Sequence, residues 1–237
     1  MSLYDTGLFV RGLYRGGLFD QSLWETAGSS IFDRLQDLDQ PMVVAYEGAN
    51  PLETGRYPQP TTVLAFASAS NQYVSIADDP AFDIVDKLSV VATCKTTLAE
   101  LTGSQYVVSK YTTAGDQKAW GFGYSLGTEK LKVLLSNDGD VLIVWESDVS
   151  VDVEEMNTIG FTFDSGDLKV YLNGVGITGS FTTGSAPTSL FVTSADVIIG
   201  GLNGGNAFDG VVGDVQIYDT IFSRRQRCWL SIMARTA

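Results

Sequence analysis

A chain of 237 residues, 44% of them hydrophobic, carries enough apolar material for a self-sufficient core, which argues against a disordered polypeptide. Acids outnumber bases 28 to 15, and a net charge of −13 argues against a binder of nucleic-acid backbones. The sequence contains no histidine, which removes Ser-His-Asp, Cys-His and histidine–metal chemistry together.

Residues 1–60 differ from the rest and read as an N-terminal anchoring or assembly extension. The opening Met1-Ser2-Leu3-Tyr4-Asp5 lacks the basic start and continuous apolar stretch of a signal peptide, so export by the general secretory route is not expected. No apolar run approaches the ~20 residues of a membrane-spanning helix. Gly7-Leu8-Phe9-Val10-Arg11, Gly12-Leu13-Tyr14-Arg15-Gly16 and Gly17-Leu18-Phe19-Asp20-Gln21 form three passes of a Gly-Leu-aromatic unit. Their spacing of five fits neither the helical nor the strand period. A peptide exposing Leu8, Phe9, Leu13, Tyr14, Leu18, Phe19, Leu23 and Trp24 would be poorly soluble, so cover is expected from its own sandwich or from neighbouring subunits. Leu8, Phe9, Arg11, Leu13, Tyr14, Arg15, Leu18, Phe19 and Trp24 are the candidate anchoring residues. Ser29 or Ser30 is placed to cap a short helix through Ile31–Leu38. Pro41, Pro51, Pro58 and Pro60 then punctuate an irregular connection, with Met42–Tyr46 as one candidate strand.

From Thr62 onward, strand-like runs recur with turn signals between them, the rhythm of an all-β sandwich over residues 61–237. Tyr73–Ile76, Leu88–Thr93 and Val107–Lys110 are the first of these. Trp120, Phe122, Tyr124 and Leu126 share one face of the next strand and Gly121, Gly123 and Ser125 the other. The large face reads first as core and second as a sugar platform. Asn137-Asp138-Gly139-Asp140 reads as a turn between Leu131–Leu135 and Val141–Trp145. Ile159, Phe161 and Phe163 alternate with small or polar residues, Asp164-Ser165-Gly166-Asp167 turns the chain, and Leu168, Val170 and Leu172 resume the period until Asn173-Gly174 turns it again. A glycine-rich loop, Gly200–Gly210, precedes a strand in which Val211, Val215 and Ile217 are expected on one side.

These last segments resemble the concanavalin A-like jelly-roll superfamily in its laminin G-like and pentraxin-like branch. The resemblance rests on Val170-Tyr171-Leu172-Asn173-Gly174, followed by the Ile199–Ser223 stretch with its glycine loop, Val215-Gln216-Ile217-Tyr218-Asp219 and closing Ser223. It covers about residues 62–230 and implies an antiparallel two-sheet jelly-roll sandwich. Glucanases of the superfamily carry an acidic strand of the type Glu-x-Asp-x-x-Glu, and nothing here matches that spacing. Glu154-Glu155 is adjacent rather than alternating, so no enzymatic activity is expected. Pentraxin-like members hold calcium just after the step that opens the glycine loop. Here that place holds Gly201-Leu202-Asn203-Gly204, and Asn203, Asn206 and Asp209, with Asp78-Asp79, make a thin oxygen set, so neither a metal nor a cofactor is expected.

Cys94 falls on the core-facing alternation, and Cys94 and Cys228 are read first as free thiols and second as a single disulfide. Arg224, Arg225, Arg227 and Arg235 crowd the C-terminus. They read as a closing helix or tail that pairs with the protein's own acidic surface, or as a patch for an acidic partner. The reading that follows is a non-catalytic structural or adhesive component of a bacteriophage virion, as capsid decoration or tail-associated protein, assembled in the host cytoplasm. Its leader would anchor it to other virion subunits and its sandwich would be displayed, with a homotrimer expected by analogy and no contact with nucleic acid. The alternative is a stand-alone carbohydrate-binding lectin module, for which Tyr171, Asn203, Asn206 and Tyr218 are the candidate ligand residues.

Overall fold

The computed structural model describes residues 63–96, 103–125, 127–203 and 205–221. The Gly-Leu-aromatic leader with its candidate anchoring residues, the helix expected at 31–38, the strand expected at 42–46, Leu126, Cys228 and the C-terminal arginines lie outside these residues.

The described residues form strands β1 (Leu64–Phe66), β2 (Val74–Ile76), β3 (Lys87–Thr96), β4 (Gln105–Thr112), β5 (Gln117–Tyr124), β6 (Lys130–Leu135), β7 (Ile143–Ser150), β8 (Asn157–Asp164), β9 (Asp167–Leu172), β10 (Val175–Ile177), β11 (Gly179–Thr183), β12 (Val197–Ile199) and β13 (Gly210–Tyr218), with single helical turns at Ser68–Ser70 and Pro80–Phe82. They make a six-stranded sheet in the order β1-β13-β3-β8-β9-β10 and a seven-stranded sheet in the order β11-β7-β6-β5-β4-β12-β2. The strand pairings are antiparallel, and strands from distant parts of the sequence sit side by side, as β13 does between β1 and β3. This is the jelly-roll sandwich that the sequence implies.

Local chemistry explains the hairpins. Between β8 and β9 the two loop residues, Ser165 and Gly166, have φ of 47° and 104°; between β9 and β10, Asn173 and Gly174 have φ of 51° and 77°. Positive φ at both positions is the turn whose twist matches that of paired strands, and Asn and Gly tolerate it best. Between β6 and β7, Asp138 Oδ1 accepts from Val141 N at 2.8 Å, Asp140 N at 3.0 Å and Ser136 Oγ at 3.1 Å. The Val141 and Asp140 N–H donors, more than the Ser136 hydroxyl, hold its carboxyl below the usual carboxylate range. Asp138 thus builds the turn, as its sequence context indicates.

The core lies between the sheets. Trp120 and Phe122 of β5 meet Phe161 of β8 edge to face, with centroids 6.4 Å and 5.2 Å apart, and Tyr124 stacks on Phe208 at 6.5 Å. These rings are enclosed, which rules out Trp120, Phe122 and Tyr124 as a sugar platform. Cys94 is a buried free thiol, 3.3 Å from Tyr124 Oη, and burial pushes its pKa up to about 12. Gly123 is required where β4 bulges against β5: a Cβ there would stand 2.0 Å from the Gln105 carbonyl oxygen.

One expected face is corrected. Val212, not Val211, joins Val215 and Ile217 in the core. The β13–β3 register shifts between Val212 and Val215, so Gly213 and Asp214 together oppose Thr93. That extra residue reverses the alternation upstream, and a bulge of this kind leaves no trace in a two-residue pattern.

Candidate functional site

The alternation that sends Trp120, Phe122 and Tyr124 inward leaves Gly121 and Gly123 on the outer side of the seven-stranded sheet. The middle of that face therefore has no side chains of its own, and neighbours fall into the dent. A Cβ on Gly121 would lie 3.4 Å from the Tyr106 ring, 3.5 Å from Leu202 and 3.6 Å from Leu134. Tyr106 and Tyr111 of β4, Leu134 of β6 and Leu202 form a second apolar cluster, separate from the main core, with Leu142 and Val144 half-buried at its margin.

Leu202 arrives there on the glycine-rich loop. Gly200 N donates to the Val107 carbonyl, Ser109 Oγ donates to the Gly201 carbonyl at 2.8 Å, and Leu202 and Gly205 exchange backbone hydrogen bonds of 3.1 and 3.2 Å. The loop thus crosses β4 on its outer side, and Asn203 bridges to Thr112 before the chain returns through Phe208 to the core. Asn203 is half-buried, whereas Asn206, at φ 53°, is exposed.

A polar group borders the apolar cluster. Lys132 of β6 lies directly across from Glu146 of β7, with Nζ 3.4 Å from Oε1. Ser125 Oγ donates to the same Glu146 oxygen at 2.6 Å, and Lys132 Nζ reaches Ser104 Oγ at 3.5 Å. The Lys132 and Glu146 side chains are 18% and 22% exposed, so both remain open to a ligand while being held in place. Burial pushes the Tyr106 phenol well above its ordinary range, against a Ser104 hydrogen bond, and Tyr111 and the Glu146 charge act in the same direction as burial. It is therefore a neutral hydroxyl at physiological pH. The partly exposed ammonium and carboxylate, beside the half-buried Leu142 and Val144, can meet both the hydroxyls and the C–H surface of a polar ring, while Tyr106 and Ser125, themselves buried, support the pair from below.

The expected ligand residues divide between the two sheets. Asn203 and Asn206 sit on the loop that feeds this face. Tyr171 and Tyr218 belong to the outer side of the six-stranded sheet, where Tyr171 is buried at 7% exposure and Tyr218 Oη donates to Gln216 Oε1 at 2.9 Å. The residues weighed for calcium are engaged elsewhere: Asp78 pairs with the buried Lys110, Asp79 caps Ala81 N, and Asp209 accepts from Ser68 Oγ. Among the described residues, no group of three or more Cys, Asp or Glu side chains is arranged to hold a metal ion.

Sequence reasoning overlooked the Lys132–Glu146 pair, although the signal was present. A turn centred on Gly139 makes these residues cross-strand partners, and both alternate with core residues. It also passed over Glu146-Ser147-Asp148, which meets the first two places of the acidic glucanase spacing. The third place is Val151, buried in the core at 2% exposure.

The family model described as the concanavalin A-like lectin/glucanases superfamily matches residues 68–226, more than half of the chain. The chain therefore belongs to that superfamily. No curated protein matches it. Among solved structures, the CBM40 of the Ruminococcus gnavus IT-sialidase bound to alpha2,3 sialyllactose is similar at 16% identity and a TM-score of 0.55, over 72% of this chain and 95% of that one. The same module bound to alpha2,6 sialyllactose gives 15% identity and a TM-score of 0.53, over 72% and 95%. The binding domain of Paraclostridial Mosquitocidal Protein 1 is similar at 12% identity and a TM-score of 0.53, over 73% of this chain and 47% of that one. At these identities the likeness is one of fold.

Proposed function

We propose that this member of the superfamily is a non-catalytic carbohydrate-binding module whose ligand face is the outer side of the seven-stranded sheet. The observation that carries the reading is the partly exposed Lys132–Glu146 pair, braced by the buried Ser125, beside the asparagine-bearing loop. Glu146 offers acceptor oxygens and Lys132 a donor to adjacent sugar hydroxyls, while Leu142 and Val144 present apolar surface. The similar fold of modules seen with sialyllactose supports the ligand class. Hydrolysis needs a carboxylic acid and a second carboxylate across the bond. Glu146 is tied to Lys132 and Ser125, and Val151 stands where the acidic spacing asks for a third acid.

A glycan array of the full chain tests this. Binding is expected to be lost in a Lys132→Met/Glu146→Gln double variant with an unchanged circular dichroism spectrum. An array that stays blank for the unaltered chain removes the reading.

A second reading, display on a virion, is favoured by one feature of the sequence: the leader with its Gly-Leu-aromatic passes. In it the same sandwich is carried on a particle, and residues 8–24 anchor it among neighbouring subunits. Light scattering of the full chain and of a chain lacking residues 1–24 tests it. A trimer that becomes a folded monomer on deletion supports the anchoring role, and a full chain that is already monomeric counts against it.

A further inference from the structure

The outer side of the six-stranded sheet is closed, although the seven-stranded sheet lies against its other side. Ser89, Val91 and Thr93 of β3, Thr158 and Thr162 of β8 and Gln216 of β13 alternate with core residues, so they point away from the core, yet all are buried. Val91 and Thr162 are each 2% exposed. A free antiparallel face shows its polar alternates to water, and this one does not. What the described residues bring to it is the Tyr218 ring against Val91 and the Thr220 carbonyl, which accepts from Ser89 Oγ at 2.6 Å. Serine, threonine and Gly160 make the centre of the face low and flat, a floor for an element laid across it.

We propose that residues 222–237 of this chain dock on this face as a third layer of the sandwich. The chain leaves β13, an interior strand, and the Ser89–Thr220 hydrogen bond directs it over β3 and not past an edge. The start of the described chain, by contrast, enters at β1, the edge strand of the same sheet. Residues 222–237 suffice in length: as a helix they would run about 24 Å. The strands β13, β3, β8 and β9 together span about 14 Å between outer axes at ~4.8 Å per step. Phe222, Trp229 and Met233 recur at helical spacing, with Leu230 and Ile232 beside them, and supply one apolar side. Charge agrees as well. Asp214 lies buried on the face and Asp219 at the chain's exit, while the segment carries Arg224, Arg225, Arg227 and Arg235 in a protein of net charge −13. Tyr171 and Tyr218 then lie beneath the segment and belong to the fold's interior, leaving glycan contact to the opposite sheet.

Carbene footprinting of the full chain tests this, read at Val91, Thr162 and Tyr171 and compared with a chain ending at Ile221. Labelling at these three positions is expected to rise at least fivefold in the shortened chain, with Asn206 unchanged. Protection that persists without residues 222–237 overturns the proposal, as does protection in the full chain that falls on dilution, which would assign the face to a second copy. Should the shortened chain fail to fold, a photo-crosslinking residue at Lys169, on the exposed margin of β9, replaces it. Crosslinks to peptides of 222–237 within one chain support the proposal, and crosslinks to residues 1–62, to another chain or to nothing overturn it.

Discussion

Lys110 is the group whose removal tests the electrostatics of the sandwich most sharply. Its side chain is 1% exposed, with Nζ 2.5 Å from Asp78 Oδ1, 3.7 Å from Asp83 Oδ1 and 3.0 Å from the Ala195 carbonyl oxygen. At an effective dielectric of about 20 those two ion pairs are worth about 7 and about 4.5 kcal/mol of gross attraction. Taking each ion out of water costs several kcal/mol, so the intact cluster contributes little net stability. Removing only the ammonium leaves two carboxylates close together with no countercharge. The full penalty for that is about 3–5 kcal/mol; because the Asp78 and Asp83 side chains are 32% and 28% exposed, water softens it to about 2–3 kcal/mol. Lys110→Met, which keeps the apolar stem, is therefore expected to lower stability by about 2–3 kcal/mol and Tm by about 5–10 °C. Urea unfolding followed by tryptophan fluorescence reads the effect. Adding Asp78→Asn and Asp83→Asn should restore at least half of the loss, since the cost lies in uncompensated charge. A Lys110→Met variant as stable as the unaltered chain, or a triple variant with no recovery, refutes this reasoning.

Phe161→Ala removes the ring against which Trp120 and Phe122 both pack, and thermal unfolding should show a loss of about 3–5 kcal/mol. Gly123→Ala forces a Cβ against the Gln105 backbone at the β4 bulge, and expression with circular dichroism should show a chain that folds poorly or not at all. Cys94 is raised from 9.0 to about 12, so its contribution is complete below pH 9 and declines as pH rises toward 12, by an order of about 4 kcal/mol at the upper end. Urea midpoints between pH 8 and 11 should therefore fall less steeply for Cys94→Ala than for the unaltered chain, and equal slopes would deny the thiol that role.

The strands were legible wherever period and turn chemistry agreed. Ile159–Phe163 and Leu168–Leu172, bracketed by Ser165-Gly166 and Asn173-Gly174, gave both face and register, because a two-residue turn leaves the pairing no freedom. The Asp138 turn was equally plain, since a carboxylate beside glycine seeks the N–H groups that follow it. The bulge at Gly213-Asp214 was not, because local pairing with Thr93, not sequence period, decides it. The candidate face was legible only in part. Asn203 and Asn206 stand out through the glycine loop, whereas nothing in a two-residue period marks Lys132, Glu146 and Tyr106, which share a face only because the loop folds across Gly121. Tyr171 and Tyr218 were singled out for lying off the core, a criterion that cannot tell an open face from a buried one, and Tyr171 is buried.

Calorimetric titration of whichever sugar the array identifies tests the central claim most directly, using the unaltered chain, Glu146→Gln and Tyr171→Phe. Losing a charge-assisted hydrogen bond of about 1.5–3 kcal/mol should weaken binding to Glu146→Gln at least tenfold, while Tyr171→Phe on the opposite sheet binds as before. Unchanged affinity in Glu146→Gln, or an equal loss in Tyr171→Phe, would contradict the assignment of the ligand to the outer side of the seven-stranded sheet.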